Sequence, residues 1–108
     1  MSIPPKIRGF AARLDQRDAE GLRLVVEGAV ETPSSNEQPV LSRSQEHNQA
    51  ERLRALDLTL RNTGMMGSQA FMYHAAFYEE PLGDPSIEIV TLLWRGRVIK
   101  TLTVAKPA

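Results

Sequence analysis

Apolar residues between positions 7 and 14 recur at the spacing of a helix, and this pattern constrains the first part of the chain most. The i, i+3, i+4, i+7 template is matched by Ile7, Phe10, Ala11 and Leu14. The prolines just before them suit a helix start, where the missing N–H costs nothing. We therefore expect a first helix from Pro5 to Gln16. A strand with Phe10, Ala12 and Leu14 on one face is the alternative, but it leaves Ile7 out of phase.

The segment from Asp18 to Glu31 combines helical and extended signals. Asp18 can cap a short second helix that runs through Leu22, because its carboxylate accepts from free N–H groups of the first turn. Local propensity alone favours a strand from Leu22 to Glu31, where apolar and charged residues alternate.

After the proline-rich loop, Ser42-Arg-Ser-Gln45 resembles a capping box. Helix formers follow it, which predicts a helix from Arg43 to Leu53.

The second half of the chain alternates with a period of two, which is typical of strands. Residues 55–61 place leucines on one face, and residues 71–78 carry apolar side chains on both faces. Arg95-Gly96 separates two alternating runs, Ile87 to Trp94 and Arg97 to Val104, as in a β-hairpin. We expect an antiparallel sheet with helices over one side and a second subunit over the other.

Composition excludes several classes of protein. The 108 residues suffice for one hydrophobic core, so residues 1–108 are predicted to form a single domain. Thirteen basic and thirteen acidic residues cancel, which gives no general attraction to nucleic acid or to an anionic membrane. The absence of cysteine excludes disulfides and thiolate chemistry. Without a signal-peptide pattern or an apolar run of about 18 residues, the protein is expected to be soluble and cytoplasmic.

Three segments together resemble a known superfamily. They are Phe10-Ala-Ala-Arg-Leu14, Arg17-Asp-Ala-Glu-Gly-Leu22 and Ala29-Val-Glu-Thr-Pro33, followed by the later strands. Their order is similar to that of the nuclear transport factor two-like superfamily, which includes ketosteroid isomerases and polyketide-cyclase-like proteins. The resemblance implies an α+β fold, in which a curved, mainly antiparallel sheet wraps around N-terminal helices as a cystatin-like cone. It also implies that Ala19 to Val26 is a helix.

The same resemblance implies where catalytic residues would lie. Ketosteroid isomerases use an aspartate base, a tyrosine and a protonated aspartic acid. The corresponding positions here are Thr32, Phe10 and the neighbourhood of Val90, which lack those groups. We therefore expect no ketosteroid isomerase activity. An isomerase, cyclase or dehydratase that uses other residues is the alternative, with Glu31, Glu88 and His74 as its candidate catalytic residues.

The leading expectation is a binding protein for a small apolar molecule held between helices and sheet. The predicted lining is apolar or aromatic apart from one threonine, and consists of Phe10, Leu14, Thr32, Tyr73, Phe77, Val90, Leu92 and Trp94. Met65, Met66 and Met72 with His74 include ligands that copper(I) prefers, but methionine more often fills gaps in packing, so no metal or other cofactor is expected.

Two expectations concern partners. The strand face that carries Met72, His74, Ala76 and Tyr78 is too apolar for water, which predicts a homodimer through this face. A β-sandwich that acts as an interaction module is the remaining alternative if Pro5 to Gln16 forms a strand. Contacts with nucleic acid or a membrane are not expected.

Overall fold

The computed structural model describes residues 3–17, 21–34, 36–45, 52–64, 71–83 and 86–106, and the regular elements of these segments are all β-strands. They are β1 (Ile7–Arg17), β2 (Gly21–Thr32), β3 (Glu37–Arg43), β4 (Leu53–Asn62), β5 (Met72–Leu82), β6 (Ile89–Trp94) and β7 (Arg97–Ala105). They form one sheet in the order β3-β4-β6-β7-β1-β2-β5. The end strands β3 and β5 approach each other, so the sheet curls into a nearly closed barrel.

The predicted α+β fold is therefore wrong, and so are its N-terminal helices. The segment expected to form the first helix lies almost entirely in β1, and residues 21–26 of the expected second helix lie in β2. The expected third helix starts on the last residue of β3 and ends on the first residue of β4. Its central part, residues 46–51, lies outside the described residues, as does Ala19. The cone wrapped around helices that the superfamily resemblance implied is contradicted by the all-β architecture.

A β-bulge explains why β1 resembles a helix in sequence. Arg8 pairs with Ala29 and Ala11 pairs with Glu27, so Gly9 and Phe10 together face Gly28. Gly9 has a φ of +66°, which glycine adopts without steric cost. The extra residue shifts the alternation by one, as bulges do. Ile7 before the bulge therefore faces the core together with Ala12 and Leu14 after it. The helical spacing of Ile7, Phe10 and Leu14 is therefore that of a bulged strand, whereas Ala11, the fourth residue of the template, is exposed.

The ring of Phe10 fills the space that a side chain at position 28 would occupy. A Cβ atom built on Gly28 would lie 2.4 Å from Cγ of Phe10, far inside van der Waals contact. Glycine in a strand often marks such a close approach. Phe10 packs against the buried core from this position. The contact therefore fixes β1 and β2 in the bulged register.

Apolar side chains from every strand fill the interior of the barrel. The most completely buried include Leu24, Val26, Val30, Leu56, Leu58, Val90 and Leu92, each at most 1% exposed. The strand predicted by local propensity from Leu22 to Glu31 is confirmed, since it coincides with most of β2. Complete burial of a side chain of this size contributes about 1.5–3 kcal/mol, which makes this cluster the main source of stability.

One ion pair crosses the interior between strands that are not neighbours. Arg54 of β4 and Glu80 of β5 join through two hydrogen bonds, Nε to Oε1 and Nη2 to Oε2, the second 3.2 Å long. Their side chains are only 12% and 13% exposed. We call this contact the closing ion pair, because β4 and β5 lie on either side of β3 where the barrel closes. A guanidinium and a carboxylate joined in this way satisfy each other's charge in a poorly solvated place.

Removal of one partner of the closing ion pair is expected to destabilise the fold strongly. Arg54→Met leaves the Glu80 carboxylate buried without its cation, which should lower the free energy of unfolding by about 3 kcal/mol or more. Arg54→Met combined with Glu80→Leu should recover most of that loss, because no buried charge remains. Urea denaturation of the two variants measures both effects.

Arg13→Met is the matched control, because Arg13 pairs with Glu27 at 2.8 Å where the two side chains are 44% and 49% exposed. Solvent screens such a pair, so its loss should change stability little. Equal effects of Arg54→Met and Arg13→Met would contradict a structural role for the closing ion pair.

Candidate functional site

A groove of about 900 Å³ lies beside the hairpin that joins β6 to β7. We call it the hairpin groove. Its polar and aromatic lining includes Glu37, Ser42, Asp57, Thr59, Trp94 and Arg95. These residues come from β3, from β4 and from the end of β6 with its turn. The groove is large enough for a small organic molecule, since ligand sites typically occupy about 300–1,000 Å³.

The alternation of β3 and β4 places the polar side chains of the groove. Ser42 pairs with Asp57 across the two strands, while the adjacent Leu41 pairs with Leu58. Both leucines belong to the buried core. Since successive residues of a strand point to opposite faces, Ser42 and Asp57 lie on the outer face. The polar half of the sequence alternation therefore forms part of the groove wall, and Leu58 and Leu60 from the other half also line the groove.

A two-residue turn holds the aromatic end of the groove. Trp94 pairs with Arg97, and Arg95-Gly96 connects them with φ angles of 50° and 82°. Positive φ at both central residues is typical of a type I′ turn, which matches the twist of the flanking strands. The hairpin predicted at Arg95-Gly96 is thus confirmed. Trp94 packs partly against the core, which fixes the position of its ring in the groove wall.

The groove carries charges of both signs together with an aromatic ring. Glu37 and Asp57 supply carboxylates and Arg95 supplies a guanidinium. The central carbon of that guanidinium lies 5.5 Å from the centroid of the Trp94 ring, within the range of a cation–π contact. Carboxylates accept hydrogen bonds, and the hydroxyl of Thr59 can donate or accept. This set of groups can bind and orient a polar molecule.

The eight residues predicted to line an apolar pocket occupy different environments. Four are in the interior and at most 4% exposed, namely Leu14, Thr32, Val90 and Leu92. Phe10 lies over Gly28, and Tyr73 lies under the Arg8 guanidinium, whose carbon is 3.8 Å from the ring centroid. Phe77 is 54% exposed. Trp94 is the member of the set that lines the hairpin groove.

The three candidate catalytic residues do not converge on one site. Glu31 and His74 lie on neighbouring strands, but His74 pairs with Val30 and Glu31 pairs with Tyr73. The side chains of Glu31 and His74 therefore point to opposite faces of the sheet. Glu88 precedes β6, and β7 and β1 separate β6 from β2 in the sheet. It lies 3.8 Å from the exposed Arg52 guanidinium, an arrangement typical of a surface ion pair.

Part of the surface predicted to form a dimer faces the barrel interior, although Met72 at its end is 43% exposed. Ala76 is 2% exposed, and Tyr78 packs against the core. The opposite face of β5 carries the exposed Phe77. Both faces of this strand are apolar in sequence, so its alternation did not identify the inward side. Dimerisation itself stays a prediction, but the face that carries Ala76 does not support it.

A second polar cluster lies in the interior around the closing ion pair. The Tyr78 hydroxyl lies close to the Glu80 carboxylate. Burial raises the pKa of Tyr78, and the negative charge of Glu80 raises it further, while Arg54 and Arg43 act in the opposite direction. Glu80 accepts two hydrogen bonds from Arg54 and lies beside the Tyr78 hydroxyl. A carboxylate satisfied in this way is suited to holding strands together rather than to proton transfer.

The described segments contain neither a cluster of metal ligands nor a helix that could span a membrane. Within those segments, no group of three or more histidine, aspartate or glutamate residues is placed to hold a metal ion. Met65 and Met66, two of the soft ligands considered, lie outside the described residues. The part of the chain that the structure describes forms no helix of the length and apolarity needed to cross a bilayer.

Comparisons of the chain with protein-family models, with curated proteins and with solved structures return no match. The resemblance to the nuclear transport factor two-like superfamily therefore has no support from relatives, and the fold that it implied is contradicted. Any account of function must start from the geometry of the molecule itself.

Ionisation of Tyr78 is expected to destabilise the fold at alkaline pH. The pKa of Tyr78 in the folded state is raised above the ordinary value of a tyrosine, so folding favours the protonated hydroxyl. The stability that this preference contributes is fully present below about pH 10 and falls as the pH rises through the folded-state pKa. The free energy of unfolding in urea, measured between about pH 9 and about pH 11, should therefore decrease less steeply for Tyr78→Phe than for the wild type. Identical slopes would show that Tyr78 makes no such contribution.

Proposed function

We propose that this protein is a non-catalytic binding module that holds a small polar organic molecule in the hairpin groove. The observation that carries the proposal is the lining of the groove, which combines carboxylate, hydroxyl and guanidinium groups with one tryptophan. A few polar groups that converge on a concave surface, with an aromatic ring for contact area, are the usual elements of a small-molecule site.

The packing of the interior supports an external site. An apolar ligand was expected between helices and sheet, but residues 7–16 and 21–26 of the segments assigned to the first two helices are strands. Leu92, Val90 and Leu14, which were expected to contact that ligand, pack against other buried side chains. Interiors packed in this way leave little room for a ligand. The hairpin groove, which lies beside the packed core, is the better candidate.

The separation of the acid–base candidates supports binding rather than catalysis. General acid–base catalysis needs groups within hydrogen-bond reach of one reacting atom. Glu31 and His74 lie on opposite faces of the sheet, and neither they nor Glu88 line the groove. The hydroxyls and carboxylates that do line it can fix the orientation of a ligand without a chemical step.

The sole tryptophan of the chain, Trp94, provides a direct test. Its fluorescence should change on titration with at least one member of a panel that contains a sugar, an amino acid, a polyamine and a dicarboxylate. Calorimetry should report a dissociation constant near 1 mM or tighter, which corresponds to a binding free energy of about −4 kcal/mol or better. No response to any of these compounds would overturn the proposal.

Two matched substitutions locate the site. Thr59→Phe fills the groove with a bulky side chain and should abolish the response. Thr101→Phe makes the same change at an exposed position of β7 and should leave binding as in the wild type. Binding that survives Thr59→Phe would place the ligand elsewhere.

A further inference from the structure

The aromatic end of the hairpin groove already holds a cation. The Arg95 guanidinium stands over the Trp94 ring, with its carbon 5.5 Å from the ring centroid. The negative face of an indole ring attracts cations, and the attraction is worth about 0.5–1 kcal/mol where the contact is exposed. Arg95 is exposed and lies at the tip of a turn. Its contact with the ring is therefore weak enough for a ligand to replace.

The charges of the groove favour a cation as that ligand. Glu37 and Asp57 contribute two carboxylates, against the single guanidinium of Arg95. Asp57 is half-buried, so water screens its charge less than at an open surface. A positively charged group that enters the groove gains attraction from both carboxylates and from the ring. An anion meets repulsion from the same carboxylates.

We infer that the hairpin groove selects a small organic cation, which carries a guanidinium or ammonium group and takes the place of the Arg95 side chain over Trp94. This inference rests on the proposed binding function and names the chemical class of its ligand. The cationic group lies against the ring, and the rest of the molecule extends towards Asp57 and the hydroxyls of β3 and β4. Arg95 then acts as a tethered competitor that keeps the ring covered in the absence of ligand.

The test compares probes of the same shape but different charge. Choline and agmatine supply an ammonium and a guanidinium, while 3,3-dimethyl-1-butanol is a neutral molecule shaped like choline. Trp94 fluorescence and calorimetry should show binding of at least one cation and at least tenfold weaker binding of the neutral analogue. Acetate tests an anion and should not bind.

Substitutions assign the selectivity to named groups. Asp57→Asn keeps the shape but removes one charge, and should weaken cation binding by about fivefold to tenfold, the difference between a charge-assisted and a neutral hydrogen bond. Arg95→Gln removes the competitor and should tighten cation binding by at least twofold. Arg8→Gln is the matched control, because Arg8 of β1 makes the same kind of contact with Tyr73 and β1 contributes no residue to the groove lining, so its loss should leave cation binding unchanged.

The outcomes separate this inference from the proposed function. If a sugar or another neutral molecule binds in the groove and the cations do not, the cation inference is overturned and the binding function stands. If Arg95→Gln weakens cation binding, Arg95 is part of the site rather than its competitor, and the inference fails in that form. If no probe of either kind binds, both proposals fail.

Discussion

The contact between Phe10 and Gly28 is the constraint on which the arrangement of the sheet depends. The ring occupies the place of a side chain on β2, so the two strands meet in one register. β1 lies between β7 and β2, and it pairs in parallel with β7 and antiparallel with β2. A shift by one residue at this position would turn its apolar side chains outward. The register of β1 therefore determines what the barrel encloses.

Closure of the barrel and the position of the groove follow from that arrangement. The interior contains the apolar residues of every strand, and the closing ion pair links β4 to β5 across it. On β3 and β4, the polar side chains that alternate with the core leucines therefore point outward. The turn at Arg95 adds the tryptophan and a cation to that polar surface.

The sequence predicts the second half of this fold better than the first. Alternation around Leu56 and Leu58, and the glycine of the Arg95-Gly96 turn, correctly indicated strands and a hairpin. β1 was mistaken for a helix because a bulge at Gly9 changes a period of two into a local spacing of three. The glycine itself is the only local sign of the bulge, and the apolar spacing alone does not distinguish the two structures. The contact of Phe10 with Gly28 on the neighbouring strand distinguishes the bulged strand from a helix, and this contact is not visible in the local sequence.

The site was harder to predict than the strands. Trp94 was identified as a lining residue, but for an apolar cavity on the inner face. In the sequence, Asp57 and Thr59 are the polar members of the alternation in residues 55–61. Such an alternation predicts a solvated face and does not predict a groove. β5 carries apolar residues on both faces, so periodicity could not show that Ala76 points inward and Phe77 outward. The groove depends on how β3, β4 and a distant turn come together, which is a property of the tertiary structure.

The chemical shift of the Gly28 α-protons tests the central claim, the bulged pairing of β1 with β2, most directly. One of these protons points at the face of the Phe10 ring, so the ring current should move its NMR signal well upfield of the usual glycine range. Phe10→Leu should return the signal towards that range while the protein stays folded. Ordinary shifts for both α-protons in the wild type, together with helical contacts between residues 7 and 14, would contradict the bulged pairing and show that this segment is a helix.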